Sequence, residues 1–114
     1  MKESIFLIGP MGAGKTTIGK QLANRLGYQF IDTDHYIEDK SGADIPWIFD
    51  IEGEEGFRER ETAALKDVLL MDNTVIATGG GIVLKRENQE LLKKAHLVIY
   101  LTASIDVQIG RAHV

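Results

Sequence analysis

The residues with the clearest chemical potential form a glycine-rich stretch that follows four apolar residues near the amino terminus. Residues 9–16 fit the pattern G-x-x-x-x-G-K-[ST], with Gly9, Gly14, Lys15 and Thr16 at its fixed positions. Glycines let backbone N–H groups turn inward around a phosphate, and the following helix adds the positive end of its dipole. In this pattern the lysine neutralises the β- and γ-phosphates and the hydroxyl holds Mg²⁺. The stretch therefore predicts a nucleoside triphosphate site rather than a glycine-rich turn without a ligand. The residues expected at the phosphates are Gly12, Ala13, Gly14, Lys15, Thr16 and Thr17.

Two carboxylates, Asp32 and Asp34, flank Thr33 directly after the short apolar run at residues 28–31. In a parallel sheet the carboxyl end of that run lies on the same rim as the glycine-rich stretch. The carboxylates could then hold a magnesium-bound water and orient a substrate hydroxyl. The alternative is that one of them only caps the next helix, which is expected at residues 33–40.

Two further features each allow a functional and a structural interpretation. Arg58 could bind the carboxylate of an anionic substrate in a bidentate manner. Its spacing from Glu54 and Glu61, however, is typical of ion pairs on a solvated helix face, and spacing alone favours that interpretation. The three glycines at residues 79–81 expose bare backbone to close approach by a ligand, and a flexible turn explains them equally well.

The elements that must position these residues follow from alternating apolar runs and helix-forming segments. The expected strands are residues 4–8, 28–31, 74–78 and 96–101, and the expected helices are residues 14–27, 33–40, 54–71 and 86–95. The connection at residues 41–53 carries Trp47 and Phe49, which predicts a short helix packed against the sheet or walling a pocket. Strands that alternate with helices predict an α/β fold with a parallel sheet.

Composition excludes several classes of protein. The chain has 114 residues, enough for one small domain, and its net charge of −4 argues against a nucleic-acid binder. It has no cysteine, which excludes disulfides and thiolate chemistry, and no segment of membrane-spanning length. Its three histidines show no metal-ligand spacing. We therefore expect a cytoplasmic protein with small-molecule substrates and with neither nucleic-acid nor membrane partners.

Taken together, the motifs resemble those of the bacterial shikimate kinases, over residues 4 to about 107. The resemblance rests on Gly-Pro-Met-Gly-Ala-Gly-Lys at 9–15, Phe-Ile-Asp-Thr-Asp at 30–34, Gly-Glu-Glu-Gly-Phe-Arg at 53–58 and Ala-Thr-Gly-Gly-Gly at 77–81. The first motif is shared by many nucleotide binders, and the other three in this order are far more specific. The resemblance implies a P-loop NTPase three-layer fold with the sheet order 2-3-1-4-5. It also implies a monomer that uses Mg²⁺ and ATP to phosphorylate the 3-hydroxyl of shikimate in aromatic amino-acid biosynthesis.

The resemblance also implies roles for particular residues. Asp34 would bind the substrate hydroxyls and act as the base, with Lys15 as the second catalytic residue, and Asp32 would reach Mg²⁺ through water beside Thr16. Arg58 would bind the shikimate carboxylate. This role replaces the ion pairs on a solvated helix face that its spacing alone favours. A backbone N–H at Gly80 would help to seat the ring. The full set implied for shikimate is Asp34, Arg58, Phe49, Phe57, Gly79, Gly80 and Gly81.

Members of that family continue well beyond this length with a lid, further arginines and a fifth strand. We therefore expect residues 1–108 to form part of a P-loop kinase domain. We expect residues 109–114 to be a non-native tail, because Ile-Gly-Arg-Ala-His-Val is what a widely used sequencing adapter encodes. On this interpretation residues 96–101 form an uncovered apolar edge, and the 114-residue chain alone is inactive and poorly soluble.

Three alternatives remain open at this stage. A gluconate or nucleoside-monophosphate kinase would share the phosphate-binding motif. A GTPase-type switch is disfavoured because the sequence contains no Asn-Lys-x-Asp motif. A non-catalytic nucleotide-binding module would need the glycine-rich stretch alone.

Overall fold

The computed structural model of the protein describes residues 3–10 and 13–102, and its strands alternate with helices as expected. The strands are β1 (Ser4–Ile8), β2 (Gln29–Asp32), β3 (Thr74–Ala77) and β4 (Leu97–Tyr100). The helices are α1 (Lys15–Leu26), α2 (Thr33–Ser41), α3 (Ile45–Leu69) and α4 (Arg86–Leu92), with a 3₁₀ turn at Ile82–Leu84. All three strand pairings are parallel, so the predicted α/β fold with a parallel sheet is confirmed.

The sheet has the strand order β2-β3-β1-β4, which agrees with the first four places of the expected order. Every residue of β1 and β3 is buried, as is usual for central parallel strands that are covered on both faces. Within the described residues β4 pairs only with β1, so it is an edge strand. Its Leu97 and Tyr100 are 46% and 64% exposed, which gives that edge an apolar surface.

Apolar side chains of β1 alternate between two cores on opposite faces of the sheet. Phe6 and Ile8 pack with residues of α3 and α4, whereas Ile5 and Leu7 pack with Ala23 of α1. The result is a three-layer arrangement with helices on both faces of the sheet. It places the carboxyl ends of β1, β2 and β3 side by side at one rim.

The segment at residues 41–53 contains the short helix that the sequence predicts, but this helix packs on α2 rather than on the sheet. Ile48 lies in a cluster with Ile37, Phe57 and Ala64, which joins α2 to both halves of α3. The two halves, residues 45–52 and 54–69, meet at Gly53, whose φ of 74° and ψ of 179° are not helical. Only glycine adopts such a backbone conformation readily, so Gly53 sets the bend.

Among the described residues, no helix combines the length and apolarity that crossing a membrane requires. The boundary at residue 108 and the tail at residues 109–114 lie outside the described residues, so both stay predictions.

Candidate functional site

The glycine-rich loop brings a lysine ammonium and the amino terminus of a helix together. Gly14 has a φ of 83° and caps α1, which begins at Lys15. The Lys15 Nζ donates to the carbonyl oxygens of Gly9 and Pro10 at 2.5 Å and 2.9 Å. Burial lowers the pKa of Lys15, and the nearby carboxylates of Asp34 and Asp32 partly oppose that shift. A cation beside a helix amino terminus is an arrangement that suits a phosphate group.

Gly12, one of the residues expected at the phosphates, lies outside the described residues, together with Met11. Of the other residues expected at the phosphates, Ala13 is buried, whereas Thr16 and Thr17 are exposed in the first turn of α1.

Asp32 has one of the two roles that the sequence left open, since it caps the next helix, and its magnesium role stays a prediction. Its Oδ1 accepts hydrogen bonds from the backbone N–H groups of Asp34 and His35 at 2.9 Å and 3.3 Å, so it caps α2. Its Oδ2 accepts a hydrogen bond from the Thr16 hydroxyl at 3.1 Å. The phosphate loop and the end of β2 are thereby joined.

The same pair of oxygens suits Mg²⁺, which prefers oxygen ligands and keeps several waters when it is bound. Thr16 and Asp32 present two such oxygens 3.1 Å apart at the mouth of the phosphate loop. No cluster of three or more His, Asp or Glu side chains with metal-binding geometry occurs in the described part of the chain. The donor set therefore fits a metal that completes its coordination with waters and phosphate oxygens rather than with protein groups.

Asp34 lies in the first turn of α2 and has a buried oxygen, Oδ1, with no hydrogen-bond partner in the described residues. Burial is the largest cause that raises the pKa of Asp34, followed by the charges of Asp32 and Glu38. Lys15 and Arg58 act in the opposite direction. A desolvated carboxylate with a free lone pair can accept a proton from a hydroxyl group, which is what a general base requires.

Arg58 forms the two ion pairs that its spacing predicts, but one of them is not solvated. Its Nη1 donates to Glu61 Oε1 at 2.9 Å, and its Nη2 lies 3.6 Å from Glu54 Oε2. The Glu61 side chain is only 1% exposed and that of Arg58 is 21% exposed. The interpretation of Arg58 as part of a solvated helix face is therefore wrong for the pair that it forms with Glu61.

Glu61 is the residue of this site whose importance sequence reasoning missed, since it was treated only as a surface partner of Arg58. Burial raises the pKa of Glu61, and the hydrogen bond and charge of Arg58 oppose that shift. One signal was available. Glu61 lies four residues from both Phe57 and Leu65, which are buried, and so falls on the buried side of α3. A carboxylate is stable there only with a partner, and Arg58 supplies it.

The tri-glycine segment (Gly79, Gly80 and Gly81) follows β3 and lies against these charged groups. A Cβ atom added at Gly79 would lie 2.8 Å from Asp34 Oδ1 and 3.1 Å from Glu61 Oε2. A Cβ atom added at Gly81 would overlap with Nη1 of Arg58. A side chain at either position would therefore displace a functional group, which accounts for glycine at both.

A cleft of about 230 Å³ unites the phosphate loop with the end of β3. Its lining residues are Gly14, Lys15, Thr16, Thr17, Asp32, Asp34, Thr78, Gly79 and Gly80. Arg58 is not on this wall. It lines a neighbouring groove with Glu54 and Lys85, and it reaches the tri-glycine segment from that side. A larger cavity of about 570 Å³ between α1 and α2 shares only Thr16, Asp32 and Asp34 with the cleft.

The two phenylalanines predicted to line a substrate pocket stack on each other, with ring centroids 4.8 Å apart and planes inclined by 29°. Phe57 is buried, whereas Phe49 is 37% exposed. The guanidinium carbon of Arg58 lies 5.3 Å from the centroid of the Phe57 ring, within cation–π distance. Neither ring lines the 230 Å³ cleft, so their contact with a substrate stays a prediction.

The shikimate kinase family model matches residues 11–114. The shikimate kinase of Psychrobacter sp. (strain PRwf-1) is 56% identical over 108 residues, which make up 95% of this chain and 60% of the relative. That of Vibrio vulnificus (strain YJ016) is 52% identical over 112 residues, or 98% of this chain and 65% of the relative.

A solved structure, a shikimate kinase from Acinetobacter baumannii in complex with shikimate, aligns with a TM-score of 0.88 at 49% sequence identity. The alignment covers 98% of this chain and 63% of that structure. The chain therefore spans less than two thirds of the length of these relatives. Because the family model matches most of the chain, the protein belongs to the shikimate kinase family.

Proposed function

We propose that the protein containing this chain transfers the γ-phosphoryl group of ATP to the 3-hydroxyl group of shikimate. The observation that carries the proposal is the position of Asp34. It lines the same cleft as Lys15 and Thr16, and its Oδ1 lies beside the tri-glycine segment that Arg58 contacts. A phosphate site, a base and a cation that can hold a carboxylate are therefore next to one another. The Acinetobacter baumannii relative, whose structure contains shikimate, supports this choice of acceptor.

The chain's own residues supply positioning and charge neutralisation, which are the main requirements of phosphoryl transfer. Lys15 and the amino terminus of α1 bind the β- and γ-phosphate oxygens. Thr16, and Asp32 through a water, would hold Mg²⁺, which neutralises charge on those oxygens when it is bound. The Asp34 carboxylate accepts the proton of the acceptor hydroxyl as that oxygen bonds to the γ-phosphorus. The bond from the γ-phosphorus to the β–γ bridging oxygen then breaks, and ADP leaves.

The acceptor half of the site distinguishes shikimate from an uncharged alcohol. Glu61 holds Nη1 of Arg58, and the Arg58 Nε is buried with no hydrogen-bond partner within the described residues. That donor and Nη2 lie on the same side of the guanidinium group, where a carboxylate that displaces the exposed Glu54 would accept two parallel hydrogen bonds. Gly80 would donate its backbone N–H to the ring substituents, and the Phe49–Phe57 stack would cover the apolar face of the ring.

The test is ADP release by the complete gene product in the presence of Mg²⁺ and ATP, with and without shikimate. We expect release that depends on shikimate, and little release with gluconate or AMP at the same concentration. Equal release with gluconate or AMP would favour another small-molecule kinase. ATP binding without ADP release under any of these conditions would favour a nucleotide-binding module.

We place the reaction in the cytoplasm, where ATP is available, and propose that the protein acts as a monomer.

A further inference from the structure

A fully buried asparagine, Asn88 on α4, connects that helix to two elements of the acceptor half of the site. The Asn88 side chain has an exposed fraction of 0%. Its Oδ1 accepts a hydrogen bond from the Thr62 hydroxyl of α3 at 2.8 Å. Its Nδ2 donates to the carbonyl oxygen of Ile82 at 2.9 Å, at the start of the 3₁₀ turn. One amide thus fixes the distance between α3 and the chain that follows the tri-glycine segment.

Both connections lead back to Arg58. Thr62 lies one helical turn after Arg58, and its hydroxyl is 3.1 Å from the Arg58 carbonyl oxygen. Ile82 directly follows Gly81, the glycine against which the Arg58 guanidinium lies. The contacts therefore form a closed circuit through Arg58, Thr62, Asn88, Ile82 and Gly81.

The turn itself is held tightly to the tri-glycine segment. The backbone N–H of Ile82 donates to the carbonyl oxygen of Gly79 at 3.2 Å, and that of Leu84 donates to the carbonyl oxygen of Gly81 at 3.1 Å. Both backbone groups of Ile82 are thus hydrogen-bonded, the N–H to Gly79 and the carbonyl oxygen to Asn88. At its other end the segment is fixed by the Gly79 N–H, which donates to the buried Thr33 hydroxyl at 3.1 Å. A change at Asn88 would therefore be transmitted through Ile82 and the turn to Gly79 and Gly81.

The shape of the space alone does not require an amide, since leucine has the same branched arrangement of side-chain heavy atoms. Burying an amide is unfavourable unless its donor and its acceptor both find partners. At Asn88 both do, on two different elements, and such a satisfied network specifies one relative position of those elements. Neither Asn88 nor Thr62 lines the cleft around the phosphate loop.

We propose that Asn88, acting through Thr62 and Ile82, is a positioning residue for the acceptor. It sets the gap between the Arg58 guanidinium and the tri-glycine segment, and hence the affinity for the acceptor carboxylate. This inference rests on the proposed function. Asn88 makes no side-chain hydrogen bond to the phosphate loop. Its replacement should therefore weaken binding of the acceptor and leave binding of ATP unchanged.

The test compares KM for shikimate with KM for ATP in the complete gene product carrying Asn88→Leu. We expect KM for shikimate to rise about tenfold, because the hydrogen bonds that join α3, which carries Arg58, to the 3₁₀ turn are lost, while KM for ATP stays within about twofold. The matched control is Gln89→Leu. Gln89 is exposed and donates to the Val83 carbonyl oxygen at 2.7 Å, so it bonds the same turn outside the circuit. This control should leave both KM values unchanged.

A second pair of variants addresses the same link if Asn88→Leu does not fold. Thr62→Val keeps the shape of the side chain and removes the hydroxyl, so KM for shikimate should rise in the same direction. Thr62→Ser keeps the hydroxyl and should restore the wild-type value. A parallel rise of both KM values, or no change in either, would overturn the inference. Wild-type protein without shikimate-dependent ADP release would instead refute the proposed function, and the inference with it.

Discussion

Asp34 combines three properties that matter at the scale of single residues. One of its oxygens is buried without a hydrogen-bond partner in the described residues, its pKa is raised by burial, and it lies in the cleft beside Lys15. Glu61 is a second buried carboxylate, but Arg58 pairs with it at 2.9 Å. The unpaired carboxylate is thus available for chemistry, whereas the paired one holds the guanidinium in place.

Replacing Asp34 with Asn should lower kcat with shikimate by a factor of about 10² to 10⁴, the usual contribution of a general base. The wild-type rate should fall as pH decreases through the raised pKa of Asp34, and the variant should lack that limb of the profile. Initial rates from the ordinary pKa of Asp, about 4, up to about pH 9 measure both effects. A variant with wild-type kcat would show that Asp34 is not the base.

The same variant should be more stable than the wild type at neutral pH. The pKa of Asp34 is higher in the folded state than in the unfolded state. The wild-type free energy of unfolding therefore decreases as pH rises from the ordinary to the raised pKa. Asn carries no such charge, so we expect Tm to increase by about 2–5 °C near pH 7. The gain should shrink as pH falls from the raised pKa to the ordinary pKa of Asp, below which the carboxylate is protonated in both states. A constant gain at all pH values would contradict this account.

Arg58→Met should raise KM for shikimate at least tenfold because a charged, bidentate contact with the carboxylate is lost. It should also destabilise the fold by about 3 kcal/mol, because it leaves the buried Glu61 unpaired. Adding Glu61→Leu should restore stability without restoring affinity. The matched control is Arg60→Met on the same helix, since Arg60 pairs with Glu52 at 2.7 Å and that pair is more exposed. Urea unfolding and initial rates measure the two effects, and an unchanged KM in Arg58→Met would exclude Arg58 as the carboxylate-binding residue.

At the scale of elements, the ends of β2 and β3 and the start of α2 place the acceptor groups. Thr33 begins α2, is fully buried and accepts a hydrogen bond from the Gly79 N–H. The short helix at residues 45–52 packs on α2, and the bend at Gly53 directs the second half of α3 so that Phe57 also joins that cluster. Arg58, the next residue, is thereby brought against Gly81, whereas Asp34 lies against Gly79.

Gly79→Ala tests how closely these elements meet. The added methyl group would lie 2.8 Å from Asp34 Oδ1, so it must displace the carboxylate. We expect kcat to fall about tenfold or more, because a displacement of about 1 Å disturbs the reacting geometry. Gly42→Ala is the control. Gly42 has a φ of 74° and nothing within 4 Å of an added Cβ, so this variant should lose stability but keep its kinetic constants. Wild-type kinetics in Gly79→Ala would show that the contact is not critical.

At the scale of the whole molecule, much of the architecture could be predicted because apolar runs and parallel topology dictate it. Asp32 and Asp34 were expected on the rim because they follow a strand that pairs within a parallel sheet. The burial of Glu61 was not predicted, since an i,i+3 ion pair has the same spacing on a solvated face and on a buried one. The hydrogen bond between Thr62 and Asn88 could not be predicted either, because these residues are 26 positions apart and meet only through the packing of α3 on α4.

The whole molecule should also respond to its two ligands through separate sets of residues. A ligand that binds only the folded state stabilises it by about 2.7 kcal/mol at a hundred times its Kd. We expect Mg²⁺ with ATP to raise the Tm of the complete gene product, and EDTA to reduce that rise because Thr16 and Asp32 then lack the metal. Lys15→Met should abolish the ATP response and keep the shikimate response, whereas Arg58→Met should do the reverse. Thermal unfolding with each ligand alone measures this without turnover. If Lys15→Met abolished both responses, the two halves of the site would not be independent, and the separate roles given to Lys15 and Arg58 would be wrong.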